Sequence, residues 1–402
     1  MRKPYRSLLA FGILTMLTMA CGLPFLMRES PPTPPSESQV STAVALTFQA
    51  LTPTVTPVSA LLPRTLYYLG PDEAGLTQVY RLERDGRTVT RVTYEPLPVG
   101  NYGVNPVDGS VAFVANNQLV LINADNSGRR VLVDGGAVDE NNAFLTRITN
   151  PVFSPDGQIL AYGYKGLNFY SLSTGVNNLV IQDQVRDLGN GMMFPTELYW
   201  PEKYSPDGSK LMITLGYYEG AEAAFYDVQS KSLTRLKDAP GALICCGGAL
   251  WSADGTKVHS GNAAAGMFNP GLWQVDPSNG DVTTLLASNY DTNTFNLAKY
   301  PFLAPDNQLY FFYLASNTGE YSRTPLQLVR SAVDGVTGRT VIRAEKFDMM
   351  NEALWAPDAS FVIVAKAPTQ DVYQGGSPSI VYIDGRPDVQ LTDFAQQMRW
   401  GP

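Results

Sequence analysis

Six times along this chain an apolar run breaks at a tight-turn signature carrying an aspartate and resumes as a second apolar run. The clearest copy is Asn150–Tyr162, in which Val152-Phe153 leads into Ser154-Pro155-Asp156-Gly157 and then Ile159-Leu160-Ala161-Tyr162. Near-copies are Tyr204-Ser205-Pro206-Asp207-Gly208, Trp251-Ser252-Ala253-Asp254-Gly255, Leu303-Ala304-Pro305-Asp306-Asn307 and Trp355-Ala356-Pro357-Asp358-Ala359. A looser copy, Val104-Asn105-Pro106-Val107-Asp108-Gly109, has one inserted residue. The aspartates stand 48, 51, 47, 52 and 52 residues apart. A period of about fifty, made of strands and turns with no helical periodicity, predicts an all-β chain built from propeller blades.

Two counts agree on the number of blades. Outer-hairpin turns at Asp85-Gly86, Asn126-Ser127-Gly128, Thr174-Gly175, Ser230-Lys231, Asn279-Gly280, Asp334-Gly335 and Asp384-Gly385 give seven. The first blade, from Thr65, shows only three strands, at Leu66–Leu69, Gln78–Leu82 and Thr88–Val92. Its missing inner strand is Met398–Pro402, where Trp400 matches Trp355 and Trp251, and Pro402 matches Pro357. The expectation is a seven-bladed β-propeller closed by pairing the C-terminal strand with the first blade, which leaves no open sheet edge.

The Phe-Ser-Pro-Asp-Gly signature followed by an apolar strand resembles the WD40-like repeat of TolB-type propellers, and the propeller domain of dipeptidyl-peptidase IV-like proteins. The resemblance covers nearly all of residues 64–402. It implies a propeller; it does not imply one activity, because propellers carry many unrelated ones.

The N-terminus begins with Arg2, Lys3 and Arg6, then an apolar run from Leu8 to Ala20, the layout of a secretory signal. The run ends at Thr18-Met19-Ala20-Cys21-Gly22, which resembles a bacterial lipoprotein cleavage box with its leucine one place too far upstream. That resemblance implies a signal peptide over 1–20 and lipidation of Cys21; an ordinary cleaved signal and an uncleaved anchor remain as alternatives. Residues 21–62 read as a linker rich in Pro and Thr, with a short amphipathic turn over Val40–Leu51, and 63–402 as the propeller. Localisation would then be extracytoplasmic, on the bacterial cell membrane, through the lipid.

The chain carries a net charge of −8, and −11 without residues 1–20. With no basic cluster to displace counterions, nucleic acid is excluded as a partner. The expected partner is a protein, peptide or glycan, and the chain is read as a monomer.

No catalytic residue, metal site or cofactor is assigned. His259, the only histidine, falls five residues after its repeat aspartate, where other repeats carry Phe113, Ala161, Met212, Phe311 and Ile363, so it reads as a packed strand residue. No nucleophile elbow, phosphate loop, metalloprotease helix or calcium loop occurs. The repeat aspartates are expected to fix their own turns, and Trp251, Trp355 and Trp400 to pack between blades. The long connections, Asp134–Asn150, Asp183–Glu202, Gly216–Ala223, Gly261–Gly271, Ala315–Pro325 and Ala367–Ser379, all fall on the face opposite the Ser-Pro-Asp-Gly turns. Candidate binding residues on that face are Tyr217, Tyr218, Phe268, Tyr321 and Tyr373, with Glu202, Lys299 and Glu352 in the links. Cys245-Cys246, in a Gly-rich link near the channel mouth, is either a vicinal disulfide or a pair of thiols, and is the basis of the alternative reading as an enzyme or redox protein.

Overall fold

A computed structural model describes residues 60–238, 241–319 and 323–402. The expected signal peptide, Cys21, nearly all of the linker and Tyr321 lie outside them. The described chain forms seven antiparallel sheets, six of four strands and one of five, and is a seven-bladed β-propeller. From blade 1 to blade 7 the inner strands are Gln396–Trp400, Asn101–Val104, Thr149–Phe153, Met193–Tyr204, Leu250–Trp251, Phe295–Leu303 and Met350–Trp355.

Closure runs through the C-terminus. Gln396–Trp400 pairs antiparallel with Leu66–Pro71, with Leu66 opposite Trp400 and Tyr67 opposite Arg399. Apolar packing lies between blades rather than within them: one buried layer separates each pair of neighbours. A second strand such as Val111–Ala115 is therefore covered on both faces, and all five of its residues are buried and apolar. Three indoles tie neighbouring blades. Trp251 Nε1 donates to the Lys203 carbonyl at 3.3 Å, Trp355 Nε1 to that of Tyr300 at 2.9 Å, and Trp400 Nε1 to that of Trp355 at 2.8 Å. His259 is fully buried with neither ring nitrogen hydrogen-bonded, and burial pushes its pKa down to about 4, so the ring is neutral.

The repeat aspartates serve their own turns. Asp156 Oδ1 accepts from Ser154 Oγ at 2.5 Å and from the Gln158 N–H at 3.0 Å, and these bonds hold its carboxyl below the usual range. Asp207 and Asp254 repeat the arrangement with Ser205 and Ser252, each at 2.6 Å. The residue after the aspartate needs positive φ. Gly157 has φ 69°, and a Cβ there would lie 2.4 Å from Asn105 Oδ1. Where the repeat departs from glycine, Asn307 (φ 58°) and Ala359 (φ 59°) adopt the same left-handed backbone.

One long connection is not a loop. Within Asp183–Glu202, Gln184–Asp187 pairs with Met193–Glu197 and adds a fifth strand to blade 4. Its turn is Leu188–Met192, with Gly189, Asn190 and Gly191 all at positive φ. Short turn residues set between two extended runs form a hairpin, although the repeat register leaves the segment looking like an excursion.

Candidate functional site

Inner strands of different blades converge on a cavity of about 730 Å³ at the channel mouth. Its lining includes Lys203, Arg399, Val152, Leu250 and Leu354, together with the Cys246–Gly248 link. In the repeat register these five side chains hold one position, four residues before the repeat aspartate or, in the last copy, directly before Trp400, the match of Trp355. Three of the five are apolar and two are cationic. That substitution of charge into an apolar column is a signal the sequence carries, and reasoning from loop lengths alone passes over it.

The carboxylates at the mouth are engaged by backbone. Glu202 accepts from the N–H of Cys246 at 2.6 Å, the N–H of Gly247 at 2.9 Å and the Thr214 hydroxyl. It thereby ties the inner strand of blade 4 to the link entering blade 5. Glu352 accepts from the Met398 N–H and so ties blade 7 to the closing strand. Burial pushes the Glu352 carboxyl up to about 7, against the opposing pull of the Met398 and Gln397 N–H groups and the Arg399 charge. Neutral groups make the same kind of tie: the Asn150 N–H donates to Asn101 Oδ1 at 3.1 Å, and the Tyr300 hydroxyl to the Asn351 carbonyl at 2.8 Å. Ladder irregularities expose these backbone groups. The inner strands shift register between Thr149 and Val152, Pro201 and Lys203, Lys299 and Phe302, and Met350 and Glu352, and Asn150 and Tyr300 sit at φ 52°.

The cations have no such partners. Among the described residues, neither Lys203 nor Arg399 forms an ion pair or a side-chain hydrogen bond, and Arg399 Nε is buried and unsatisfied. Arg399 lies 5.4 Å from the Tyr102 ring centroid. The Lys203 side chain is exposed to the lumen, whose walls leave it less solvated than an open surface would. That lost solvation, with the Arg399 charge nearby, holds its ammonium down to about 8, so it remains charged at neutral pH.

A second cavity of about 220 Å³ adjoins the first through Asn351 and Tyr373 and is lined by Lys299, Arg323 and the exposed Asp348. Arg323 Nη1 donates to Asn351 Oδ1 at 2.8 Å, its Nη2 donates to the Val372 carbonyl, and its guanidinium lies 5.1 Å from the Tyr373 ring. Burial and the Arg323 charge lower the pKa of Lys299. On the other side a groove of about 680 Å³ shares Asn101, Asn150 and Trp200 with the channel cavity; Val114, Val138, Phe144 and Ile148 make it apolar.

Of the sequence candidates, Glu202, Glu352 and Tyr373 line the channel cavity, and Lys299 and Tyr373 the smaller one. Tyr217 and Tyr218 line a separate depression of about 420 Å³ beside the blade 4 hairpin. There Tyr218 stacks on Phe194 at 4.8 Å and Tyr217 donates to Glu222 Oε1 at 2.8 Å. Phe268 is half-buried and lines none of these cavities. Cys245 is buried and Cys246 exposed at φ 61°, and their sulfurs are bonded at 2.14 Å.

No family model matches the chain, and neither does any curated protein. Solved structures do. TolB from Acinetobacter baumannii is 16% identical, with a TM-score of 0.43 over 92% of this chain and 73% of that one. A prolyl endopeptidase structure is 13% identical, with a TM-score of 0.49 over 92% of this chain and 57% of that one. Porphyromonas gingivalis dipeptidyl peptidase 4 is 12% identical, with a TM-score of 0.46 over 79% and 48%. The likeness is one of fold.

Proposed function

We propose that the chain is a non-catalytic, extracytoplasmic binding or scaffold lipoprotein that holds a protein, peptide or glycan partner on its long-loop face. The observation that carries this reading is the coincidence on one face of the longest connections and a channel-mouth cavity of about 730 Å³, which shares walls with two others. A rigid scaffold with variable loops around a concavity is the usual arrangement of a recognition site. The test is capture of a partner from envelope extract by the full chain, beside variants with Gly261–Gly271 or Ala367–Ser379 shortened. Loss of capture with unchanged melting is the expected result; capture that survives every shortening overturns the reading. For the anchor, Cys21→Ala should release the chain from the membrane fraction and abolish incorporation of labelled palmitate.

A second reading, redox chemistry at Cys245-Cys246, is favoured by the bonded sulfurs and by the exposure of Cys246 at the cavity. It requires that a mild dithiol reductant release two thiols per folded chain. Release only after denaturation removes its chemical basis.

A further inference from the structure

The charges at the channel mouth are unequal in their freedom. Its two carboxylates are spent on backbone N–H groups, and burial raises the Glu352 carboxyl to about 7. Its two cations, Lys203 and Arg399, project into the lumen from the same register position of two inner strands with no described partner. Arg399 is half-buried with its Nε buried and unsatisfied, and a planar two-oxygen anion is the group that best satisfies such a guanidinium. The chain as a whole carries −8, so two cations with no described acidic partner stand out inside an acidic protein.

Shape narrows the ligand. The channel cavity shares lining residues with the apolar groove (Asn101, Asn150 and Trp200) and with the Lys299–Arg323 pocket (Asn351 and Tyr373), so the three are neighbours around one mouth. Resting on the binding reading above, we infer that this trench takes an extended acidic peptide segment, with a carboxylate between Lys203 and Arg399 and apolar side chains in the groove beside Trp200 and Phe144. A second acidic group would reach Lys299 and Arg323. An acidic oligosaccharide offers the same carboxylate, but Val114, Val138, Phe144 and Ile148 give its hydroxyls no partner, while the groove's polar Asn116, Arg147 and Thr149 can serve a peptide backbone as well as a sugar. The apolar arm therefore favours peptide.

The experiment is an array of random dodecapeptides probed with the labelled full chain, followed by titration of recovered peptides and of trigalacturonate. Binders should be enriched in Asp or Glu flanked by aliphatic or aromatic residues. Replacing the acidic residue by its amide should weaken them at least tenfold, and so should Arg399→Gln or Lys203→Gln. Arg399→Lys should recover only part, because the paired donors are lost. Unchanged melting temperatures and circular dichroism establish that these variants fold; if Arg399→Gln does not, Lys203→Gln alone carries the test. Binders without acidic enrichment, and indifferent to both substitutions, overturn the anion site while leaving the binding reading intact. Trigalacturonate binding that depends on Arg399, with no peptide binder, overturns the choice of peptide. No binding of any probe to the native chain overturns the site, and the partner-capture experiment then decides the broader reading separately.

Discussion

On the face that carries the Ser-Pro-Asp-Gly turns, each aspartate accepts an N–H two residues further on, as Asp156 does from Gln158 and Asp207 from Ser209. At the channel mouth, Glu202 accepts N–H groups 44 and 45 residues away, and Glu352 one 46 residues away. The bond type is the same; the span of chain it joins is not. An aspartate bond closes a turn already favoured by its neighbours, whereas a glutamate bond exists only once two blades are side by side. The first should matter little to the ring, and the second should matter to its closure.

The largest effect belongs to closure itself. Deleting residues 396–402 removes the inner strand of blade 1, the Trp400 bond to blade 7 and the Phe361–Trp400 contact. It exposes the sheet edge along Leu66–Pro71 and one interblade layer at once, a loss comparable with the ~5–15 kcal/mol that a domain has in total. Cooperative thermal unfolding should disappear, with aggregation on size-exclusion chromatography. A truncated chain that melts within a few degrees of the intact one would show that the ring does not depend on this strand.

Glu352→Ala should come next, at about 2 kcal/mol, since it strands the Met398 N–H at the junction. Glu352→Gln keeps an acceptor and should cost less at neutral pH. The pair also makes the junction sensitive to pH in a definite direction. Burial raises the Glu352 carboxyl from 4.5 to about 7, so between those values the native state holds a proton the unfolded chain has released. Stability from this group is present below pH 4.5 and is lost as pH rises through about 7. Asp183, raised by burial to about 6, tends the same way, so the measurement is a difference. Urea midpoints of the native chain minus those of Glu352→Gln should fall from pH 4.5 to 7 and then level off. A flat difference would mean that the carboxyl titrates as if solvated.

This contrast also explains how much was legible in the sequence. Seven blades, the closing strand and the self-contained aspartate turns are properties of short windows repeated at one period, and propensity and turn chemistry act within such windows. The blade 4 hairpin has no counterpart in the other copies and fits within an ordinary spacing of 51 residues, so the repeat carries no signal for it. Glu202 and Glu352 were legible as charged residues in the links, but not as acceptors of another blade's N–H groups, because that role depends on register shifts at the inner strands. Lys203 and Arg399 were legible in principle, as charges in a column otherwise filled by Val152, Leu250 and Leu354. Tyr217 and Tyr218 fell on the right face but in a different depression, since loop membership fixes a face and not a position around the ring.

The smallest effect should come from the most conspicuous feature. Asp156→Ala removes an acceptor for the buried Ser154 hydroxyl and for the exposed Gln158 N–H, at a carboxylate position that is itself exposed. Water replaces such partners readily, so the expected loss is about 1 kcal/mol. Asp207→Ala should match it, because Ser205 and Ser209 reproduce the contacts. The two losses should add in the double variant, since each bond network stays within its own turn. A double variant losing much more than the sum would mean that neighbouring turns brace one another. A contact for that exists: Gly208 lies against the Pro155 ring, where a Cβ would stand 3.2 Å from its Cδ. Additivity therefore measures whether the aspartate face is six separate turns or one coupled rim, and only the first outcome preserves the contrast with the glutamate ties.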